Sequence, residues 1–319
     1  MEINWFPGHM AKSLRKMKDQ VKLVDLVIET CDARIPKSSR NPELAGLTGG
    51  KPLILVLNKA DLADPETTQQ WLDYFSRQGL QVLAIDSTRR AGPDQVQKAA
   101  IDLMQGKIER SKERGRIFQP VRAMIVGIPN TGKSTLINTL VRRKAAQAQD
   151  KPGVTRRTAW VRSSGQLELL DTPGVLMPKI EGHASQIALA ATGAIRDVIL
   201  DLEEIAARTI YLLDVHYPHL LAERYQVGQG VKPEASENND DSAEQDPTLA
   251  EAETMLMADP ELALGYQLLE EAALLRKCLQ SGGRADTARF AGIFLDELRA
   301  GRIGRISLEW PPAKTKRAQ

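Results

Sequence analysis

Cysteine and long apolar runs are scarce in this sequence. Only two cysteines occur, Cys31 and Cys278, so there is no disulfide framework and a reducing compartment is indicated. No run of 18 apolar residues occurs, which argues against a transmembrane helix, and residues 1–8 lack the basic and apolar regions of a signal peptide. We therefore expect a cytoplasmic protein that is not anchored to a membrane.

The charge of the chain is distributed unevenly. The 319 residues are 42% hydrophobic and 26% charged, which suits a globular protein of about two domains. The formal net charge is only +2, but residues 231–261 contain one Lys and ten Asp or Glu and carry −9, which leaves +11 for the rest. A basic body of this size indicates a polyanionic partner, although a solvated surface of mixed charge is the alternative.

The most specific pattern is Gly127-Ile-Pro-Asn-Thr-Gly-Lys-Ser134, which follows the apolar run 121–126 and precedes a helical pattern. A strand, a G-x-x-x-x-G-K-[ST] loop and a helix in that order form a phosphate-binding P-loop. Backbone N–H groups bind phosphate oxygens, Lys133 reaches the β- and γ-phosphates, and Ser134 offers its hydroxyl to Mg²⁺. The predicted nucleotide-binding residues of this loop are Asn130, Thr131, Gly132, Lys133, Ser134 and Thr135.

A guanine-reading motif lies before the P-loop. The buried-strand pattern 51–57 ends in Asn58-Lys-Ala-Asp61, and Asp61 can accept two hydrogen bonds from guanine N1–H and the 2-amino group, which adenine does not offer. Asn58 would tie the loop together and contact the base, with the Lys59 stem along the ring and Ala60 beside it. The turn at Ser87, after the next strand pattern, resembles the fifth GTPase motif, whose backbone N–H meets guanine O6.

Two segments after the P-loop have the pattern of switch loops. Residues 150–157 are polar and interrupted by glycine, and Thr155 is the hydroxyl that we place on Mg²⁺ and the γ-phosphate. A predicted hairpin strand ends in Asp171-Thr-Pro-Gly174, the D-x-x-G of switch II. We therefore predict that Ser134, Thr155 and Asp171 bind Mg²⁺ and that Gly174 contacts GTP.

The order of these motifs is permuted, because the residues at 58–61 and 87 come before the P-loop. The motifs can still meet, since ligands bind beyond the C-terminal ends of parallel strands wherever the chain termini lie. We predict an α/β fold: a circularly permuted P-loop GTPase domain, with a mostly parallel sheet and helices on both faces, followed by a smaller all-α C-terminal domain. The predicted segments are a basic N-terminal helix at 1–22, the GTPase domain at 23–178, a connecting segment at 179–205, and the helical domain at 206–319 with a disordered acidic insert at about 231–255.

This motif order, together with Trp5-Phe-Pro-Gly-His-Met10, Gly282-Gly-Arg-Ala-Asp286 and Gly301-Arg-Ile-Gly-Arg-Ile-Ser-Leu-Glu309, closely resembles the RbgA (YlqF) family of bacterial ribosome biogenesis GTPases. The resemblance covers nearly the whole chain. It implies a GTPase with GTP and GDP as ligands that binds the pre-50S large ribosomal subunit and its rRNA, promotes late maturation, and is released after subunit-stimulated hydrolysis. We expect the free protein to be a monomer.

The resemblance also implies that the C-terminal domain binds ribosomal RNA. Basic side chains in this region could contact RNA phosphates, with solvated helix faces as the alternative. The residues concerned are Arg284, Arg289, Arg299, Arg302 and Arg305, with Lys314, Lys316 and Arg317 in the tail.

The catalytic group is not evident from the motifs, because the residue after D-x-x-G is Val175, and an apolar side chain cannot orient water. We therefore expect slow hydrolysis by the protein alone. The resemblance assigns catalysis to His9, whose alternative is a surface or RNA-contacting role. Asn130 also has two interpretations, since it could bind K⁺ as an activating ion, as in related GTPases with Asn here, or stabilise the loop.

Two other functions stay open at this point. One is a GTP-dependent RNA-binding module that acts on the small subunit or another structured RNA, with incidental turnover. The other is a P-loop ATPase, against which Asp61 argues.

Overall fold

The computed structural model describes residues 17–41, 44–115, 120–141, 159–163, 167–171, 182–195, 197, 201–228 and 259–312. The described chain divides into two compact units, one ending before Glu181 and the other beginning there. The predicted N-terminal helix is described only from Met17 onward, and the predicted acidic insert lies outside the described residues.

A six-stranded sheet organises the first unit. Its strands in spatial order are β3 (Gln81–Ile85), β2 (Leu53–Asn58), β1 (Leu26–Asp32), β4 (Val121–Gly127), β6 (Leu167–Asp171) and β5 (Ala159–Ser163). Five of these strands are parallel, and β5, at one edge, is antiparallel to β6. All seven residues of β1 are buried, as expected for a central parallel strand whose two faces are covered. The predicted mostly parallel sheet is confirmed.

Helices cover both faces of this sheet. In chain order they are α1 (Leu44–Leu47), α2 (Pro65–Arg77), α3 (Ala91–Leu103), α4 (Gln105–Glu113) and α5 (Lys133–Val141). On one face, Val96 of α3 and Leu136 of α5 pack with Ile28 and Ile125 of the central strands. On the other face, α2 contributes Trp71 to a separate cluster. Apolar stripes on helices and strands therefore meet in two layers of core around the sheet.

The strand pairing aligns the C-terminal ends of four strands at one edge of the sheet. Asp32 at the end of β1 is paired with Asn58 at the end of β2, and Asn58 is paired in turn with Ile85 of β3. On the other side of β1, Thr30 is paired with Gly127 of β4. The segments that begin at Asn58 and Gly127 therefore leave the same edge of the sheet with only β1 between their strands, although strand β3 and several helices separate them along the chain.

Among the described residues, the second unit contains five helices: α6 (His183–Ala191), α7 (Leu202–His216), α8 (Pro218–Tyr225), α9 (Asp259–Leu275) and α10 (Thr287–Arg299). This agrees with the predicted helical C-terminal region. The carboxylate of Asp201 accepts hydrogen bonds from the N–H groups of Glu203 and Glu204 at 3.1 and 3.2 Å, which fixes the start of α7. Helix α6 lies within 179–205, the range that we assigned to a connecting segment.

Helices α7 and α9 approach each other closely at a glycine. A methyl group built on Gly265 would lie 2.1 Å from the carbonyl oxygen of Ala207. Because that distance is far below van der Waals contact, only glycine lets the two backbones pack this tightly.

A mixed aromatic and ionic cluster joins α8 to α10. The Tyr225 ring packs edge-on against Phe290 with 5.5 Å between centroids, and its hydroxyl donates to Glu297 Oε2 at 2.8 Å. Arg224 also donates to the Glu297 carboxylate. Burial and the hydrogen bond to Glu297 raise the pKa of Tyr225 above its usual range, so the phenol remains a donor at physiological pH.

Arg299 lies inside this unit, whereas we predicted that it could contact RNA phosphates. Its guanidinium donates to the carbonyl oxygens of Ala190 and Ala191, at 2.9 and 3.1 Å, at the C-terminus of α6. It also donates to both carboxylate oxygens of Asp197 at 2.8 Å. The last carbonyl groups of a helix have no partner within it and attract a cation. Arg299 therefore ties α10 to the end of α6, and the phosphate assignment is wrong for this residue.

We predict that Arg299→Ala lowers the free energy of unfolding by about 2 kcal/mol, because two helix-terminal carbonyl groups and a carboxylate lose their donor. Denaturant unfolding monitored by circular dichroism measures the change. The matched control is Arg302→Ala, which removes an exposed arginine three residues later and should change the stability by less than about 0.5 kcal/mol. Equal effects of the two variants would contradict the structural role of Arg299.

Candidate nucleotide-binding site

The P-loop leaves the end of β4 and enters α5 at Lys133. Asn130 and Gly132 have positive φ angles of 63° and 82°, and such turns let successive N–H groups face one concave side. Lys133 is buried, and Ser134 and Thr135 are half-buried in the first turn of α5, where the helix carries a positive partial charge. The arrangement is suited to binding a phosphate group.

Strand β1 supports the P-loop from the neighbouring position in the sheet. The hydroxyl oxygens of Thr30 and Thr131 lie 2.9 Å apart, and Thr30 donates to the carbonyl oxygen of Val126 at 3.2 Å. A methyl group on Gly127 would lie 2.2 Å from Thr30 Oγ1. The first glycine of the motif is therefore required by the close approach of β1.

The side chain of Asn58 joins three of the predicted motifs. Its amide Nδ2 donates to the carbonyl oxygen of Thr131 in the P-loop at 2.8 Å. Its Oδ1 accepts a hydrogen bond from the N–H of Ser87 at 3.1 Å. The hydroxyl of Thr139 in α5 donates to the Ser87 carbonyl oxygen at 2.9 Å, which links the same turn back to the P-loop helix. The structure thus brings together the loops that start at 58, 87 and 127.

The loop at 58–61, which we predicted to read guanine, is held from both sides by backbone hydrogen bonds. The N–H of Ala33, after β1, donates to the Asn58 carbonyl oxygen at 2.8 Å, and the N–H of Ala60 donates to the Ile85 carbonyl oxygen at 3.0 Å. Between these two bonds, Lys59 has a φ of 59°, which turns the chain toward Asp61. Asp61 itself is exposed, as its predicted role of accepting hydrogen bonds from a base requires.

Sequence reasoning missed two residues beside this loop, Asp32 and Arg34. Their side chains are buried and joined by a two-point ion pair, with 2.9 Å from Arg34 Nε to Asp32 Oδ1 and 2.8 Å from Arg34 NH2 to Asp32 Oδ2. Lys59 Nζ lies 3.0 Å from Asp32 Oδ2. Although burial alone would raise the pKa of Asp32, Arg34 and Lys59 hold it well below its usual value. Their position in the sequence could have revealed them, because Asp32 ends β1, the strand that lies between the strand of the Asn58 loop and the strand of the P-loop.

The structure describes only some of the other residues that we predicted for the site. Asp171 is the last residue of β6, where its backbone pairs in register with Ile125 of the P-loop strand. His9, Thr155 and Gly174 lie outside the described residues, so their roles remain predictions. Within the described ranges, no group of three or more His, Cys, Asp or Glu residues could hold a metal ion. The described helices are also too short or too polar to span a bilayer.

Comparison with known proteins decides the family. A family described as "50S ribosome-binding GTPase" matches residues 122–235. Ribosome biogenesis GTPase A of Priestia megaterium is 41% identical over 313 residues, which cover 98% of this chain and 98% of that protein. This chain belongs to the ribosome biogenesis GTPase A family. It is therefore a GTPase, and the ATPase alternative is excluded. Mitochondrial ribosome-associated GTPase 1 of Mus musculus is also 41% identical, over 66% of this chain and 67% of its own length.

Solved structures have the same fold over nearly the full length. GNP-bound YlqF from T. maritima matches with a TM-score of 0.59 and 24% identity, covering 94% of this chain and 98% of its own. A GDP-bound YlqF structure matches with a TM-score of 0.60, covering 93% and 99%. These matches confirm the fold predicted for this family member, a circularly permuted GTPase domain followed by helices.

We predict that Gly132→Ala lowers the affinity for GDP by at least about tenfold, because the new methyl group would lie 1.9 Å from Asn58 Nδ2 at a φ of 82°. The clash separates Asn58 from the P-loop. Titration with a fluorescent GDP analogue measures the affinity. In the control, Gly106→Ala in α4, a methyl group meets nothing within 4 Å, so that variant should bind GDP normally. Unchanged GDP affinity in Gly132→Ala would contradict the tight contact.

Proposed function

We propose that this GTPase is an assembly factor that binds the pre-50S large ribosomal subunit, promotes its late maturation and is released after subunit-stimulated GTP hydrolysis. The observation that carries the GTP-binding part of the proposal is the bonding of Asn58 to Thr131 and Ser87, at 2.8 and 3.1 Å, because it joins the loop proposed to read the base to the P-loop in one site. The names of the relatives, "Ribosome biogenesis GTPase A" and "Mitochondrial ribosome-associated GTPase 1", support a ribosomal role. A cytoplasmic location and a monomeric free state are part of the same proposal.

In this proposal, Asp61 reads the base. Its exposed carboxylate accepts hydrogen bonds from guanine N1–H and the 2-amino group, and this two-point match selects guanine over adenine. Lys59 lies along the face of the base through its aliphatic stem while its amine remains near Asp32. The turn at Ser87 lies at guanine O6 in this proposal, and the N–H of Ser87 itself is engaged by Asn58 Oδ1 at 3.1 Å.

The phosphates lie on the P-loop in this proposal. Backbone N–H groups between Gly127 and Gly132 and the amine of Lys133 bind their oxygens. The donors proposed for Mg²⁺, which are Ser134, Thr155 and Asp171, are all oxygen ligands of the kind that Mg²⁺ prefers, and half-buried Ser134 lies one residue after buried Lys133. When bound, Mg²⁺ supplies positive charge to the β- and γ-phosphate oxygens.

Asn130 is the residue that we propose for K⁺, where an activating cation would balance negative charge that develops during hydrolysis. Its backbone is left-handed, with a φ of 63°, and the residue is exposed. This position is compatible with either a K⁺ ligand or a loop-stabilising side chain, and the dependence of the hydrolysis rate on K⁺ against Na⁺ separates the two.

RNA binding is proposed for the basic residues predicted from the sequence other than Arg299, and in particular for an exposed basic turn in the second unit. The turn lies between α9 and α10, where Leu279 and Ala285 form an isolated β-bridge. Gly282 and Gly283, with φ angles of 94° and 79°, reverse the chain at its tip. Exposed basic residues in and beside this turn include Lys277, Arg284 and Arg289. Such side chains supply salt-dependent contacts to phosphates.

The test of the large-subunit assignment is the hydrolysis rate in the presence of separated subunits. We predict that purified 50S subunits raise the rate at least about tenfold and that 30S subunits do not. Co-sedimentation with each subunit, in a non-hydrolysable GTP analogue and in GDP, should show retention on 50S with the analogue and release with GDP. Equal stimulation by both subunits would reject the assignment and favour a general GTP-dependent RNA-binding module.

The catalytic group is proposed to be His9, because Val175 cannot orient water. We predict that His9→Ala abolishes stimulation by 50S subunits and leaves GDP affinity within about twofold. The control is His219→Ala, which removes an exposed histidine of the second unit and should retain full stimulation. Full stimulation in the His9 variant would remove this residue from catalysis without affecting the guanine assignment.

A further inference from the structure

We propose that Arg34 and Asp32 are positioning residues for guanine recognition, which hold Lys59 and Asp61 in place and thereby set the preference for a base with a 2-amino group. Neither residue belongs to the GTPase motifs described above. The inference rests on the proposed base-reading role of Asp61, and the experiment below separates the failure of one from the failure of the other.

The Asp32–Arg34 pair is a rigid element. Their side chains are 4% and 2% exposed, and the guanidinium meets both carboxylate oxygens in a fork. The backbone N–H of Arg34 also donates to Asp32 Oδ1 at 3.1 Å, and the N–H of Asp32 donates to Ser39 Oγ at 3.0 Å. A buried fork of this type fixes the orientation of both partners.

Asp32 reaches the guanine-reading loop through Lys59. The Lys59 ammonium lies 3.0 Å from Asp32 Oδ2, and its side chain is 25% exposed. With the amine held at Asp32 and the backbone held in a left-handed turn at φ 59°, the aliphatic stem of Lys59 has little freedom left. A stem fixed at both ends presents a defined flat surface to a base.

Asp61 is held through the loop that it shares with Lys59. It lies two residues after Lys59, and the N–H of Leu62 donates to the Lys59 carbonyl oxygen at 2.9 Å, which closes a tight turn around Asp61. A turn whose first residue is held by Asp32 therefore holds Asp61 as well. The charge of Arg34 acts in the same direction: burial alone would lower the pKa of Arg34, but Asp32 raises it and Asp61 adds to that increase.

The charges of the four side chains balance. Asp32 and Asp61 are negative, and Arg34 and Lys59 are positive, so the cluster is neutral before an uncharged base arrives. Losing the Arg34 fork frees the Asp32 carboxylate to shift even where the charge is kept, and Lys59 then loses the fixed position that Asp32 gives it. Asp61 is then free to move, and the bidentate contact to N1–H and the 2-amino group is the first interaction lost.

The experiment compares GDP with inosine diphosphate, which lacks the 2-amino group, by competition against a fluorescent GDP analogue. Arg34→Lys keeps the charge but loses the fork. We expect the dissociation constant for inosine diphosphate divided by that for GDP to fall about tenfold, which means a weaker preference for GDP. Asp32→Asn, which keeps the shape of the side chain, should lower the ratio in the same direction. Thermal unfolding of each variant establishes that it is folded.

The matched control is Arg40→Lys. Arg40 lies on the same loop after β1, but it donates to Glu29 at 3.2 Å and lies over the Phe75 ring at 5.3 Å. Its variant should keep the wild-type ratio. A purely structural role for Arg34 would weaken both nucleotides by the same factor, and that result, or no change in a folded variant, overturns the inference.

Asp61→Asn separates the two proposals. If this variant loses the preference for GDP while Arg34→Lys and Asp32→Asn keep it, only the positioning role fails. If Asp61→Asn itself keeps the preference, the guanine-reading assignment fails and the positioning inference fails with it.

Discussion

The carboxamide of Asn58 is the contact on which the rest of the site depends. One group both donates and accepts, so it can satisfy a carbonyl oxygen in the P-loop and an N–H group in the turn at Ser87 at the same time. Both neighbours are buried backbone groups, for which an unmatched polar atom is costly. The loop proposed to read the base and the P-loop are therefore both bound to one side chain, and neither loop can shift far without the other.

This contact is possible because the sheet, and not the order of the chain, determines which loops are neighbours. Parallel strands place all their C-terminal ends at one edge, so loops that follow β1, β2, β3 and β4 converge there. Permutation changes where the chain enters and leaves this arrangement. Strand β1 is central in the sheet, so its final residues contact loops on both sides. Thr30 contacts the P-loop on one side, and Asp32 contacts Lys59 in the loop at 58–61 on the other.

The sequence was sufficient to predict those features that a short run of neighbouring residues specifies. The P-loop and the residues at 58–61 are short strings in a fixed setting, and the strands around them are recognisable as buried apolar runs. The Asp32–Arg34 fork could not be found this way, because a buried ion pair looks the same in sequence as two solvated charges. Arg299 illustrates the same limit, since its partners at the end of α6 lie about one hundred residues earlier. Residue type alone does not tell whether a charge faces water or a helix terminus.

The close packing of Gly265 on Ala207 has a consequence for how this family can vary. Helix α9 is seated on α7 by direct backbone contact, with no room at position 265 for even a methyl group. A relative with any other residue at this position must set the two helices further apart. Position 265 is therefore closed to evolutionary drift unless the residues around it on both helices change together.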